Sequence, residues 1–250
     1  MEIPESHPRH RSLTARHRLT EGYKAGLVAE AGLIAHGRGE AFDYLLGEET
    51  IPEAEEAERY AANLLLHAEN PVISVNGNVA ALCPDELVKL AEATGAKLEI
   101  NLFYRTPERM EKLTKHMREH GAEDILGAEP DAEIPGLEHA RGLCTKEGIF
   151  SADVILVPLE DGDRAQALRK MGKTTIVIDL NPLSRSARTA SVTIVDEVTR
   201  AIPNIRTFAL EQKGQPPMQK FDNEGNLRRA LDRITNSLFE VRMAYNPKKQ

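Results

Sequence analysis

From Pro71 to about residue 202, short apolar runs alternate with helix-patterned segments, and no other feature of the chain limits its fold so strongly. The runs are VISVN (72–76), KLEINLF (97–103), DVILVPL (153–159), TTIVIDL (174–180) and SVTIVD (191–196). Helical patterns follow over 84–94, 107–120, 162–171 and from about 196. Apolar strands alternating with amphipathic helices make a parallel sheet covered on both faces. The expectation is an α/β fold, a Rossmann-like parallel sheet with flanking helices and a helical N-terminal region.

Before the sheet, Leu13, Leu19, Tyr23, Leu27, Leu33, Ile34, Phe42, Leu45 and Leu46 recur at near-helical spacing. Gly32, Gly37 and Gly39 predict that this stretch is divided into more than one helix. Pro52 suits a first helical position, with Glu53, Glu55 and Glu56 complementing the helix dipole, and this helix stops near Asn70 and Pro71. Residues 128–150 have no period and exceed ordinary loop length, which makes them a candidate lid or dimer arm. Residues 213–219 read as a linker and 221–245 as a last amphipathic helix. The organisation expected is a helical region (1–70) packed on a nucleotide-binding core (71–212), followed by linker and helix (213–250), in one compact unit.

Composition narrows the function class. Hydrophobic residues form 41% and charged residues 28%, with no Trp, which suits a globular chain with an aliphatic core. No run approaches the roughly 18–20 apolar residues of a membrane span, and the N-terminus lacks the apolar stretch of a signal peptide, so a cytoplasmic protein is expected. Cys83 and Cys144 are far apart, arguing against a disulfide framework or a structural zinc. A net charge of −7 disfavours nucleic acid as a partner, although residues 1–18 hold four Arg. Residues 40–58, by contrast, hold eight carboxylates and no Lys or Arg.

In an open parallel sheet ligands sit beyond the carboxyl ends of the strands. After PVISV, Asn76-Gly77-Asn78 is either an anion cradle at a helix start or a tight turn. After KLEINLF comes Arg105, a phosphate grip or a surface arginine, with Thr106 as helix cap before Pro107. After DVILVPL, Glu160, Asp161 and Asp163 could meet Mg²⁺ together with a bound phosphate, or Asp161 or Asp163 could cap the helix beginning near Arg164. After TTIVI, Asp179 could receive a ribose hydroxyl while Ser184, Arg185 and Ser186 hold phosphate oxygens; the alternative is a turn at Asn181-Pro182 with solvated arginines. At Asp196-Glu197 a helix cap is the simpler reading.

Two motifs fail on context. GKTT (172–175) precedes a strand and lacks the first glycine of a phosphate loop, its position being Ala167. His116 and His120 in HMREH have zinc-motif spacing but lie in a run of Lys, Arg and Glu that reads as a solvated face. The arm holding His7, Arg9, Arg11, Arg16 and Arg18 could hold phosphates, and Leu13 and Leu19 suggest that it docks. Gly37 and Gly39 do not form a dinucleotide turn, since Phe42 occupies the third glycine position and no strand precedes them. They are expected to bend the chain so that Arg38 reaches the nucleotide.

The ordered strings IPESHPRHRSL, AGLIAHGRGEAFDYLLGE, NPVISVNGNVAAL, LEINLFYRT, IPGLEHARG, ADVILVPLEDGDR and IDLNPLSRSAR followed by TIVD resemble the archaeal 4-phosphopantoate–β-alanine ligase family, the phosphopantothenate synthetases of coenzyme A biosynthesis. The resemblance runs from Ile3 to about Ile202. It implies joining of 4-phosphopantoate to β-alanine with ATP through a pantoyl adenylate, releasing AMP and diphosphate, in a homodimer with a Rossmann-like core. Carried to matching positions, it implies ATP contacts at Arg16, Arg38, Asp179, Leu180, Asn181, Arg185, Ser186, Glu197 and Val198. His10-Arg11 stands where the family suggests an aromatic residue, and Glu197 where it suggests an amide.

Adenylation gathers a carboxylate, a phosphate ester and a triphosphate, so it needs converging cations and a metal instead of a side-chain nucleophile. Arg38, Asp161 and Asp163 are the candidate catalytic residues. Arg9, Asn76, Asn78 and Arg105 are the candidates for substrate binding, and Mg²⁺ would come with ATP near Asp161 and Asp163, without a protein cage. His36 and His139 are candidate bases for the β-alanine amine by residue type. The alternative function is a non-catalytic nucleotide-binding regulatory module on the same core.

Overall fold

The computed structural model describes residues 3–159 and 161–245. Its N-terminal helices are α1 (His10–Lys24), α2 (Glu30–Leu46) and α3 (Pro52–His67). The alternating region gives β1 (Pro71–Val75), α4 (Gly77–Leu82), α5 (Pro84–Thr94), β2 (Lys97–Ile100), α6 (Pro107–Glu119) and β3 (Ile125–Leu126). A small hairpin, β4 (Ala132–Glu133) and β5 (Leu143–Cys144), precedes β6 (Val154–Pro158) and α7 (Gly162–Lys170). The chain continues through β7 (Thr174–Ile178), α8 (Arg185–Thr189), β8 (Val192–Ile194), α9 (Val198–Glu211) and α10 (Asn223–Ala244).

Six strands form one all-parallel sheet in the order β3-β2-β1-β6-β7-β8. This is the doubly wound Rossmann order, in which the chain first winds outward from β1 and then returns to its other side. The reversal lies between β1 and β6, and it fixes where a ligand crevice opens. Strand side chains alternate between two buried layers. Ile73, Val75, Leu98, Ile100, Leu156 and Ile176 join the core with α3, α5, α6 and α9, whereas Val72, Ile155 and Val157 face α7 and the 128–150 segment. Burial on both faces explains why these strands read as unbroken apolar runs.

The glycines of α2 do not divide it. Gly32, Gly37 and Gly39 lie inside one continuous helix, and the chain bends earlier, at 25–29, where Gly26 has φ +80°. A mid-helix glycine costs about 1 kcal/mol relative to alanine, which packing of α2 on α4 and α10 outweighs. Its placement, not a glycine hinge, carries Arg38 to the sheet edge, and a Cβ on Gly39 would meet Leu180 at 3.6 Å.

The 128–150 segment is packed on the sheet and is not a loose lid. Ile134, Leu137, Cys144 and Ile149 are buried against Val72, Ile155 and Val157. The carboxylate of Glu99 on β2, itself buried, accepts from the backbone N–H of Thr145 (2.8 Å), the Thr145 hydroxyl (3.0 Å) and the N–H of Ile149 (2.6 Å). Each apolar contact is placed by a separate turn, so no sequence period announces it.

The basic arm docks as expected. Leu19 is buried, and Arg18 donates to the Leu82 carbonyl at 2.8 Å. His116 and His120 do not form a simply solvated face: His116 Nε2 meets the Ala80 carbonyl at 3.0 Å, and His120 pairs with Asp85 at 2.7 Å, so both join α6 to its neighbours. The stretch after α9 is tied to α3 by Asn63, which accepts from the Met218 N–H at 2.8 Å and donates to the Gln212 side chain at 3.1 Å.

Candidate active site

A cavity of about 280 Å³ opens at the β1–β6 reversal. Asn76 holds its two sides together. Its side-chain oxygen caps α4 by accepting from Asn78 N and Val79 N at 3.0 and 3.1 Å, while its amide donates to the Pro158 carbonyl at 2.8 Å. Asn78 donates to the Gly32 carbonyl at 2.8 Å and so fastens α2 over the opening. Both asparagines line the cavity, yet their side chains are engaged in building it. Leu159, also in the wall, has φ +57°, a left-handed conformation that costs a non-glycine residue about 1–2 kcal/mol.

Among the described residues, three guanidinium groups, on Arg38, Arg109 and Arg141, line this cavity against the one carboxylate of Asp161. Arg38 is exposed on α2. Arg109 donates to the carbonyls of Tyr104 (2.5 Å) and Leu27 (2.7 Å), and burial lowers its pKa. Arg141 is only 6% exposed and donates to Asp161 at 3.1 Å. Clustered guanidiniums in a partly enclosed crevice suit a phosphate or carboxylate, which they grip through paired N–H donors. Neither Arg109 nor Arg141 was singled out from sequence. Arg109 could have been found as the position three residues beyond the Thr106 cap, whose hydroxyl oxygen accepts its N–H at 3.3 Å. Arg141 lies in the segment without a period and gave no local signal.

Arg105 goes elsewhere. Its guanidinium donates to the carbonyls of Gly127 (2.5 Å) and Ala128 (3.0 Å) and borders a separate groove beneath α6. The His139 ring lies 5.0 Å from that of Phe103, a residue of the cavity wall.

The loop after β7 is organised by Asp179. One of its oxygens accepts from the Asn181 N–H at 2.9 Å, the other from the Ser184 hydroxyl, and Asn181 in turn accepts from Leu183 N at 2.9 Å. Burial pushes the Asp179 pKa up, opposed by Ser184, the Asn181 N–H and the charge of Arg38. Asp179 and Asn181 therefore make the turn, the alternative that the sequence left open. Ser184 caps α8 through Ala187 N at 3.0 Å, and Ser186 is buried. Arg185 pairs with Asp163 at 2.6 Å and so joins the ends of β6 and β7.

Asp161 occupies the cap position of α7, but its side chain makes no capping bond; the carboxylate turns to Arg141, and the helix begins at Gly162. Glu160 lies outside the described residues. Among the described residues no three His, Cys, Asp or Glu groups converge as a metal cage. Asp161 and Asp163 are each paired with a guanidinium, Arg141 and Arg185, so a cation here would need phosphate oxygens for most of its ligands.

A second cavity, of about 430 Å³, lies between the N-terminal arm, the opposite face of α2, Leu180 and the start of α9. Gly32, Ala35 and Arg38 border the first cavity and His36, Glu40 and Asp43 the second, so α2 is the partition between them. Arg16 grips Glu40 through two nitrogens, at 3.0 and 2.8 Å, and Tyr44 at 3.1 Å. Although burial works against its charge, these hydrogen bonds hold Glu40 below the usual carboxylate range. Arg9 reaches the Tyr44 hydroxyl at 3.5 Å. Burial lowers the pKa of His36, which favours its neutral form. Glu197 caps α9 through Thr199 N at 2.7 Å, and Val198 is buried. Asp43 and Arg200, also in this wall, pair at 2.5 Å. Neither carried a sequence signal, because an ion pair across 157 residues has no local pattern.

The chain matches the family described as "Phosphopantothenate/pantothenate synthetase" over residues 53–237. It is 53% identical over 248 residues to a 4-phosphopantoate–β-alanine ligase of Thermococcus onnurineus, covering 96% of this chain and 95% of that one. The protein of the same name from Thermococcus kodakarensis is 58% identical over 214 residues, 85% and 82% of the two chains. The one from Methanosarcina mazei is 50% identical over 243 residues, 95% and 96%.

Proposed function

Because this chain belongs to the phosphopantothenate/pantothenate synthetase family, we propose that it catalyses the ATP-dependent joining of 4-phosphopantoate and β-alanine to 4′-phosphopantothenate in coenzyme A biosynthesis. The observation that carries the reading to the site is the three-arginine cavity at the sheet reversal, separated only by α2 from a second cavity at the strand ends. One compartment takes the phosphorylated acid and the other the nucleotide. The relatives, all named as ligases, do not favour the non-catalytic nucleotide-binding module.

The chemistry follows from charge placement. The pantoate carboxylate attacks the α-phosphorus of ATP, the bond to the β-phosphate oxygen breaks, and diphosphate leaves. The neutral amine of β-alanine then attacks the acyl carbon of the adenylate, AMP leaves, and the nitrogen loses a proton. Arg109 and Arg141 hold the 4-phosphate, while Arg38, at the partition and within electrostatic reach of Asp179, faces the charge that builds on the α-phosphate. Leu180, Glu197 and Val198 border the nucleotide, with Asp179 and Asn181 shaping its loop, and Arg16, Arg185 and Ser186 serve its phosphates and ribose. Alignment of two anions that repel each other in water is the main catalytic contribution. Asp161 and Asp163 are the carboxylates that would meet Mg²⁺ bound with ATP, which would neutralise the phosphates there. His36, kept neutral by burial, is the better placed of the two histidines to take the amine proton.

The C-terminal part of α10 exposes Leu238, Phe239 and Val241, the apolar surface that a second copy would cover in the homodimer implied by the family resemblance. Among the described residues no helix is long and apolar enough to cross a membrane, and a cytoplasmic location goes with a biosynthetic ligase. The deciding experiment is incubation of the purified chain with ATP, Mg²⁺, 4-phosphopantoate and β-alanine. AMP and 4′-phosphopantothenate are expected in equal amounts, and AMP release that ignores 4-phosphopantoate would refute the assignment.

A further inference from the structure

Behind the second cavity lies a buried chain of charged groups that the reaction itself does not use. Arg200 on α9 sits between two carboxylates, donating to Asp43 of α2 at 2.5 and 3.1 Å and, through Nε, to Asp196 at the end of β8 at 2.8 Å. Asp196 is almost wholly buried. Beyond Arg200 it accepts from the Glu197 N–H at 2.7 Å and the Thr50 hydroxyl at 2.6 Å. On its far side stands Glu58 of α3, with no exposed surface. One Glu58 oxygen accepts from the Asn204 amide at 3.0 Å; the other is buried and has no donor from any neutral or cationic group. Asp196 shares this buried cluster: the Asn204 amide that donates to Glu58 also reaches the Thr50 hydroxyl at 3.4 Å, and Thr50 donates to Asp196 at 2.6 Å.

Two carboxyl groups buried in one cluster repel unless one of them keeps a proton. Asp196 already accepts three hydrogen bonds, one of them from a guanidinium, whereas one Glu58 oxygen has no donor, so the proton belongs to Glu58. We propose that Glu58 is a positioning residue for the nucleotide compartment: in its protonated form it donates to Asp196 and thereby fixes Arg200 and the start of α9, where Glu197 and Thr199 border the cavity. With that proton, one cation and two carboxylates fill the buried chain. Without it, three carboxylates share one cation, and the Asp196 side chain must leave either Glu58 or the Glu197 N–H. The charges acting most strongly on Glu58 are Asp196 from β8 and Glu55 from its own helix, with Asn204 donating from α9. Arg200 and Asp43 act through Asp196, Thr50 is the neutral partner from the α2–α3 loop, and α5 and α10 also pack on α3. Burial and the charge of Asp196 push the Glu58 pKa to about 9, in agreement with the geometry.

The proposal rests on the second cavity being the nucleotide compartment, and the experiment separates the two. ATP·Mg binding to the full chain is measured by calorimetry at pH 7 and pH 9.5 for the wild type, Glu58→Gln and Glu58→Leu, with circular dichroism as the check on folding. Glutamine keeps both the donor toward Asp196 and the acceptor for Asn204, at every pH. With a pKa of about 9, about a quarter of Glu58 keeps its proton at pH 9.5, so the wild type should lose about fourfold in affinity between the two pH values. Glu58→Gln should lose less than about 1.5-fold, and Glu58→Leu should bind weakly at both. Equal alkaline loss in the wild type and Glu58→Gln overturns the proposal, and so does wild-type affinity in a folded Glu58→Leu. Infrared difference spectra give a second readout: a protonated-carboxyl band at pH 7 that Glu58→Gln removes. Intact ATP binding without that band overturns this proposal alone, whereas a wild-type chain that binds no ATP at pH 7 overturns the nucleotide reading and the proposal with it.

Discussion

Replacing Glu58 by glutamine should change how the stability of the protein depends on pH. The folded-state pKa of Glu58 is pushed to about 9 from an ordinary 4.5, first by burial and then by Asp196. Between those values the folded chain holds a proton that the unfolded chain has released. Raising pH therefore favours unfolding, and the contribution of Glu58 falls by about 1.4 kcal/mol per pH unit across that window, levelling off above about 9. From pH 6 to pH 8 the loss is about 2.7 kcal/mol for a folded-state pKa of about 9. Glutamine has no proton to lose, and titrations common to both proteins cancel in the difference. With a urea slope of about 2–3 kcal/mol per M, the wild-type midpoint should fall by roughly 1 M relative to Glu58→Gln between pH 6 and pH 8. Urea melts of both proteins at pH 6, 7 and 8 measure it. If the two midpoints move in parallel, Glu58 is ionised in the folded chain and the shared-proton argument fails.

Three further outcomes test the site and the fold. Arg38→Ala should lower ATP-dependent AMP release at least about tenfold, roughly 1.4 kcal/mol of transition-state stabilisation, with an unchanged circular dichroism spectrum; an unaltered rate would remove the α2 partition from the chemistry. Arg141→Ala should raise KM for 4-phosphopantoate about tenfold or more while leaving KM for ATP within about threefold; a matching rise in both would place this arginine at the shared boundary of the two cavities instead. Ile149→Ala, which hollows the contact between the 128–150 segment and the sheet, should cost about 2–5 kcal/mol in urea unfolding, whereas a loose lid would lose almost nothing.

The strands and most helices were legible because their signals are local. Burial on both faces writes an unbroken apolar run, and Thr106-Pro107 writes a helix start, irrespective of what lies across the molecule. Expectation failed where one signal competed with a distant contact. The glycines of α2 read as breaks because propensity counts only the chain itself, while packing on α4 and α10 keeps the helix whole. Arg105, open between a phosphate grip and a surface role because it follows a strand directly, turns to the carbonyls of Gly127 and Ala128, and Arg109, one turn further on, lines the cavity. The family strings carried the activity, since they record a whole site in order without needing its geometry.

The sequence by itself determined the layered α/β class, the strand ends as the place for chemistry, and the arginine-rich character of the site, because periodicity, caps and side-chain charge belong to neighbouring residues. Only the tertiary structure decided the strand order that sets the crevice between β1 and β6, the partition by α2, and which arginines face each compartment. It also separated Glu58 from the other carboxylates of 40–58, among which it looks like one more solvated charge. Its burial beside Asp196 comes from contacts across more than a hundred residues, and a proton held by such contacts has no signature along the chain.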